Sequence, residues 1–516
     1  MAASASGRTV PAHPSILEID TWPWLAALTE SGDGPVDLGR VPAKVWDAIA
    51  ETGYDLVWLM GVWQRSPVGV AVALQDAELL ESIRAALPDF VEADVVGSPY
   101  CIRDYAVDDH LGGRDGLAAA RSELSSRGVG LVLDFVPNHV APDHPWVSRF
   151  PERFVLGDEA DLQEEPSGFV ELGTRVLAHG RDPYFPAWPD VVQLNAFSFQ
   201  LRAGVVETLR DIADQCDGVR CDMAMLMMDD VFAQTWGARV GPPLSRPYWP
   251  EVIESVRHTH PGFVFVAEAY WDREFALQQQ GFDYCYDKRL YDRLVSSEPA
   301  PAVVAHLSAD PAYQSGLMRF VENHDEPRAA TVLDPGRQRV VAITTLTQAG
   351  ARLVHDGQTV GRRTRLPVFL GRFPDEVDDA ELETFYDSLL GALSDRTFHD
   401  GTWQLCRTSG WEGNDTAEQI ACWCWTGDTR WLVVVNLGDR RATARVAAPW
   451  PELEGSGVLL HDPTQDVSYE RTGSDLDGGL YVELPGWGYH LFRAEAHEPE
   501  EPPADGKATQ TRDEAP

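Results

Sequence analysis

The sequence predicts an α/β chain built on a closed (β/α)8 barrel, the TIM-barrel architecture, and three observations lead there. Between Tyr54 and Gly357, short apolar, β-branched runs alternate with stretches whose apolar residues recur at spacings of three and four. The rhythm supplies enough units for eight strands in about 350 residues, the usual scale of such a barrel with insertions. No GxGxxG opens a helix after the first strand, which disfavours the doubly wound open sheet.

Candidate strands lie at 56–62 (LVWLMGV), 130–135 (GLVLDF), 218–221 (GVRC), 263–267 (FVFVA), 282–286 (FDYCY), 317–321 (LMRFV) and 351–354 (ARLV), with 14–19 as the first of the set. Helical spacing is carried by 115–126, 201–214, 249–258 and 337–348. Two stretches break the rhythm. Residues 141–189, rich in Pro, Gly and Asp, separate the third strand from the next helix by far more than a loop, so they read as a small lid-forming subdomain. From 399 the pattern becomes period-two, as in 430–436 (RWLVVVN), 443–447 and 481–484, which predicts a separate antiparallel β domain ending at 493. The tail 494–516, rich in Glu, Pro, Ala and Asp, is expected to be disordered. The barrel is thus assigned 15–140 and 190–398.

Composition narrows the function. The 81 acidic against 42 basic residues leave a formal charge of −39, a field that repels phosphate backbones and anionic lipid. Nucleic acid and membrane surfaces are therefore not expected partners. No apolar run reaches the roughly 18 residues of a bilayer span, and the start MAASASGRTVPAHP lacks a basic segment followed by an apolar core, so the expected address is the cytoplasm. Seven cysteines at irregular spacings (Cys101, Cys216, Cys221, Cys285, Cys406, Cys422, Cys424) argue against a disulfide framework, and no CxxC zinc pattern occurs. Cys422 and Cys424 would share one face of a strand as core residues. The 17 Trp and 14 Tyr leave material for flat apolar platforms, which sugar faces bind.

In a parallel barrel the site gathers at the carboxyl ends of the strands. Four candidate strands end in polar residues: Asp134 and Asn138–His139, Arg220 and Asp222, Glu268, and Asn323, His324 and Asp325. One Asp at a strand end is ordinarily a helix cap or loop residue, but four such ends in barrel order are not. Asp222, Glu268 and Asp325 form a trio of carboxylates, with Arg220 two residues before the first and so on the same strand face. Retaining glycoside hydrolysis needs one ionised carboxylate to attack the anomeric carbon and a second holding a proton for the leaving oxygen, about 5–5.5 Å apart. Arg220 is expected to lower the pKa of Asp222, while like charge and burial raise that of the acid. His139 and His324 can donate to sugar hydroxyls, and Tyr100 can face the sugar ring. The Met223–Met228 region (DMAMLMMDD for 222–230) is expected to pack beneath the site.

The segments DFVPNH (134–139), GVRCDMAM (218–225), AEAYW (267–271) and ENHDEP (322–327) resemble, in order and spacing, the four signature regions of the α-amylase superfamily, glycoside hydrolase family 13, and SPYCIRDYAVDDHLGG (98–113) is similar to the segment after its second strand. The resemblance runs from about residue 15 to 495 and implies an inserted domain B at 141–189 and a C-terminal antiparallel β-sandwich at 399–493. It implies that Asp222 is the nucleophile, Glu268 the general acid/base and Asp325 the third carboxylate. Tyr100, His139, Arg220 and His324 fall on positions that bind substrate in subsite −1, and Asp134 on a structural aspartate. The implied activity is retaining hydrolysis of α-glucans or maltooligosaccharides. An α-glucanotransferase or a trehalose-forming sugar isomerase would use the same residues.

Two departures qualify this. Gly97 stands where many exo-acting α-glucosidases carry Asp, which disfavours a strictly exo enzyme. Met225-Leu226 replace the Lys-His of many α-amylases, so although Asn138 keeps one calcium-ligand position, no metal and no cofactor are expected. Asp158, Glu159, Asp161 and Glu164 are the alternative source of ligands. Outside this class, a metal-dependent hydrolase is disfavoured by Arg220 beside the cluster, and a non-catalytic carbohydrate-binding relative by the presence of every expected carboxylate.

Overall fold

The computed structural model describes residues 10–32 and 34–497, so most of the start MAASASGRTVPAHP lies outside the described residues. Eight strands close into a barrel: β1 (Ser15–Asp20), β2 (Leu56–Met60), β3 (Gly130–Phe135), β4 (Gly218–Cys221), β5 (Val264–Ala267), β6 (Tyr284–Tyr286), β7 (Leu317–Phe320) and β8 (Ala351–His355). Each pairs in parallel with its sequence neighbours, and β8 returns to β1 with Leu17 opposite Val354. Helices cover the barrel outside and side chains fill it inside, so β2 through β8 are buried along their whole length and read as mainly apolar runs, interrupted by buried groups such as Asp134, Arg220, Arg319 and Arg352.

Helix starts follow from capping. Ser198 accepts the Leu201 N–H at 3.2 Å and opens Phe199–Ala213, and Asp334 caps Pro335–Leu346 with Pro335 in the first turn. Gly113–Ser126 and Tyr248–Arg257 complete the four helices expected from spacing.

After β3 the chain enters a five-stranded sheet in which His139–Val140, Trp188–Gln193, Arg175–Gly180 and Leu156–Gly157 are neighbours in that order and Phe169–Leu172 pairs with Arg175–Gly180, every pairing antiparallel. Its two ends, His139–Val140 and 190–193, were assigned to the barrel from sequence. They belong to this sheet because His139 lies opposite Gln193, a pairing across the whole insertion.

The chain divides into two units at Asp400/Gly401. The second holds a six-stranded sheet of Thr402–Leu405, Ile420–Thr426, Arg430–Asn436, Tyr489–His497, Gly457–Asp462 and Val467–Thr472, and a three-stranded sheet of Arg407–Ser409, Ala442–Ala447 and Leu480–Leu484. Both sheets contribute to one core, with Cys422, Cys424, Leu432 and Val434 from the larger and Ala444, Val446 and Val482 from the smaller. The last strand reaches His497, so the first four residues of the expected tail are paired strand, and the rest lies outside the described residues. All seven cysteines are buried free thiols. Among the described residues no helix is long and apolar enough to cross a membrane.

Candidate active site

The strand ends bring Tyr100, His139, Asp222, Glu268 and Asp325, together with Trp188, Asp190, Met223 and Tyr270, to the lining of one cavity of about 410 Å³, while the expected Arg220 and His324 are buried and do not line it. Arg220 joins the three carboxylates. Its Nη1 lies 2.8 Å from Asp222 Oδ1, and its Nη2 lies 2.7 Å from Glu268 Oε2 and 3.9 Å from Asp325 Oδ2. Its Nε donates to the Tyr286 hydroxyl at 3.2 Å, and the guanidinium carbon sits 5.3, 5.2 and 5.7 Å from the ring centres of Trp58, Tyr100 and Tyr286. An arginine 1 % exposed, boxed by aromatic rings and facing carboxylates, is fixed in charge and place.

Each carboxylate is aimed by its local backbone. Directly after Asp222, Met223 adopts a left-handed conformation (φ 42°), turning the chain so that its N–H donates to Glu268 Oε2 at 2.6 Å. Tyr270 donates to the other oxygen of Glu268 at 2.9 Å. Asn323 Oδ1 accepts the N–H groups of Asp325 and Glu326, both at 3.0 Å, which forms the turn presenting Asp325. Behind it, the buried Glu322 accepts from Arg328 at 2.7 Å and from the Ala329 N–H at 2.6 Å.

His324 connects the barrel's first and seventh strands. Its Nε2 faces Asp325 Oδ2 at 3.0 Å and the Tyr100 hydroxyl at 2.6 Å, and its Nδ1 faces Glu18 Oε1 of β1 at 2.5 Å. Burial would lower its pKa, but Asp325 and Glu18 outweigh burial and raise it well above the usual histidine value, which favours the charged ring. Burial acts on Asp325 in the opposite sense, and His324 with Arg220 overcomes it to hold that carboxyl low. His139 differs: burial takes it down to about 4, its hydrogen bond to the Tyr100 backbone pulling weakly the other way, so it is neutral. Its ring packs 5.2 Å from that of Trp188.

Asp222 reverses the expectation. Burial and the Glu268 charge push it up to about 8, and Arg220 only partly opposes them. The physical reason is that Arg220 is shared: Glu268 takes one fork of the guanidinium and, in addition, the Met223 and Tyr270 donors, while Asp222 has the other fork alone. Asp222 is therefore poised to carry a proton at neutral pH.

Asp134 lies beneath the site, wholly buried, accepting Trp58 Nε1 at 3.1 Å and the Gly61 N–H at 2.7 Å, and burial takes it up to about 6 against the pull of Arg220. Met225, Leu226 and Met227 are core, as expected. Sequence reasoning missed Glu18, Tyr270 and Trp188. Glu18 had a signal, an acidic residue between Leu17 and Ile19 inside a barrel strand (SILEID).

A calcium ion does not fit the residues around Asn138. Asn138 Oδ1, the Asn138 carbonyl and the Leu194 carbonyl all accept from one nitrogen, Gln193 Nε2, at 2.8, 2.9 and 3.0 Å. Of the acidic residues in the insertion, Asp158 caps helix Glu159–Glu164 and Asp161 is gripped by Arg239 at 2.7 and 2.8 Å. Among the described residues no cluster of three His, Cys, Asp or Glu could hold a metal.

This parallel barrel, with an Asp, a Glu and a second Asp at separate strand ends around a buried arginine, is similar to proteins of the α-amylase family. The α-amylase MalA of Haloarcula japonica is 25% identical over 378 residues, covering 69% of this chain and 48% of that protein. An α-1,4-glucan:maltose-1-phosphate maltosyltransferase of Pseudomonas aeruginosa is 26% identical over 261 residues, 48% of this chain and 32% of that one. The chain thus spans half or less of the length of these curated relatives. Among solved structures, the maltogenic α-amylase AmyB of Thermotoga neapolitana superposes with a TM-score of 0.65 at 19% identity, covering 93% of this chain and 98% of that one. No family model matches the chain.

Proposed function

We propose that the chain is a retaining glycoside hydrolase that cleaves α-glucosidic bonds of α-glucans or maltooligosaccharides through a covalent glycosyl-enzyme. The observation that carries this reading is the grip of one guanidinium on both Asp222 and Glu268, at 2.8 and 2.7 Å, with Asp325 3.9 Å from the same group. A pair held by one fork favours the short separation of retention, about 5–5.5 Å, over the roughly 6.5–9.5 Å that admits a water between the carboxyls.

The Asp222 proton passes to Glu268, whereupon Asp222 Oδ attacks the anomeric carbon as the bond to the leaving oxygen breaks, and Glu268 delivers that proton to the leaving oxygen. A glycosyl ester on Asp222 results. Glu268, now a carboxylate, takes a proton from water, whose oxygen displaces Asp222 at the same carbon and restores the starting state with the anomeric configuration retained. The neutral His139 supplies hydrogen bonds to sugar hydroxyls, and Asp325, held ionised by His324 and Arg220, accepts from them. The Tyr100 and Trp188 rings form apolar walls.

The maltosyltransferase relatives favour a second reading, in which an acceptor sugar hydroxyl replaces water in the second step. Chromatography of products from maltooligosaccharides, soluble starch, pullulan and trehalose separates the two: shorter saccharides alone support hydrolysis, and products longer than the substrate support transfer. Proton NMR of the first product from an α-glucan tests the shared first step, with the α-anomer expected. A β-anomer appearing first would overturn retention.

A further inference from the structure

The insertion leaves the barrel at Asn138–His139 and returns along Trp188–Gln193, and the two edges meet where His139 lies opposite Gln193. At that junction three oxygens, Asn138 Oδ1, the Asn138 carbonyl and the Leu194 carbonyl, converge on a single nitrogen at 2.8 to 3.0 Å. Gln193 and Asn138 are buried, and since the Asn138 carbonyl also accepts the Leu194 N–H at 3.0 Å, it is Asn138 Oδ1 and the Leu194 carbonyl that depend on the amide, and leaving them unpaired would be costly. Converging oxygens around a small positive centre are what a hard cation takes. Here the centre is an amide NH2, with two hydrogens carrying partial positive charge. The amide is also tied from its other end, because Gln193 Oε1 accepts Asn138 Nδ2 and the Arg181 N–H, both at 3.3 Å. Asn138 Nδ2 in turn lies 3.3 Å from His139 Nδ1, so the same cluster steadies a residue lining the cavity.

We propose that the Gln193 carboxamide replaces a cation as the clasp between the inserted sheet and the barrel, so that this junction is tied without metal where its converging oxygens would otherwise call for one. The amide carries no net charge and cannot be withdrawn by a chelator. A carboxylate at the same position would set its own oxygen against the other three with no positive charge among them. It would therefore demand a metal and supply it with a charged ligand.

Thermal melting of the whole chain tests this without reference to any activity. The wild-type Tm should be the same in EDTA and in millimolar calcium. In Gln193→Glu, Tm in EDTA should fall by roughly 4 °C or more, and calcium should restore it. Gln193→Met, close in shape but without a donor, should lose stability that calcium does not return. If Gln193→Glu is folded only with calcium present, that is the same result in stronger form. A wild-type Tm that drops in EDTA, a Gln193→Glu protein as stable as wild type in EDTA, a loss that calcium fails to restore, or a Gln193→Met protein that melts with wild type would each overturn the proposal.

Discussion

Asp222 sits between influences of opposite sign, and their balance has consequences that can be measured. Its carboxyl is raised from 3.8 to about 8 in the folded chain, so the native state binds a proton there that the unfolded state releases. Stability from that proton is fully present below about pH 4 and is lost as pH rises through 8. Asp222→Asn should thus remove activity by several orders of magnitude yet raise Tm, with a larger gain at pH 8 than at pH 5. A variant that melts below wild type at pH 8 would contradict the charge balance. The same proton sets activity: kcat/KM should fall as pH rises through about 8, because Asp222 then has no proton to pass to Glu268. Glu268→Gln should cut cleavage of maltooligosaccharides far more than the first step on an activated aryl α-glucoside, whose leaving group needs no acid. Equal losses in single-turnover measurements would remove Glu268 from the acid's role. The carboxylates were legible in the sequence because each follows an apolar strand. The contact between Glu18 and His324 was not, since the partners are 306 positions apart and neither segment refers to the other.

At the scale of elements, the barrel strands were legible because strands buried on both faces have no polar alternation to hide them. The structure trims 282–286 to Tyr284–Tyr286: Phe282 is buried but precedes the strand, and burial alone was what its sequence advertised. The inserted sheet was legible as an interruption but not in its extent, because a pairing such as His139 with Gln193 depends on what closes the loop and not on local pattern. Gln193 in VVQLNAF carries no local signal, and only the oxygens around its amide give it meaning. Asp134 ties β3 to the segment from β2, holding Trp58 Nε1 and the Gly61 N–H. Asp134→Ala strands both buried donors, and we expect it to cost roughly 2–5 kcal/mol, read as a lowered denaturant midpoint. A loss under about 0.5 kcal/mol would show that the two donors find other partners.

For the molecule as a whole, a charge of −39 means that the folded chain repels itself. Raising salt from about 10 mM to about 0.5 M shortens the reach of that repulsion from roughly 30 Å to a few ångströms, so Tm should rise with ionic strength. A Tm that falls would mean that local pairs such as Arg114 with Asp211 outweigh the global field. The central claim is the ester on Asp222, and trapping tests it most directly. With α-glucosyl fluoride, Glu268→Gln can complete the first step without an acid but lacks the base for the second, so the glycosyl-enzyme should accumulate. Peptide mass mapping of the quenched protein should find one hexosyl unit on the peptide carrying Asp222. No adduct, or an adduct on a peptide without Asp222, would contradict the account.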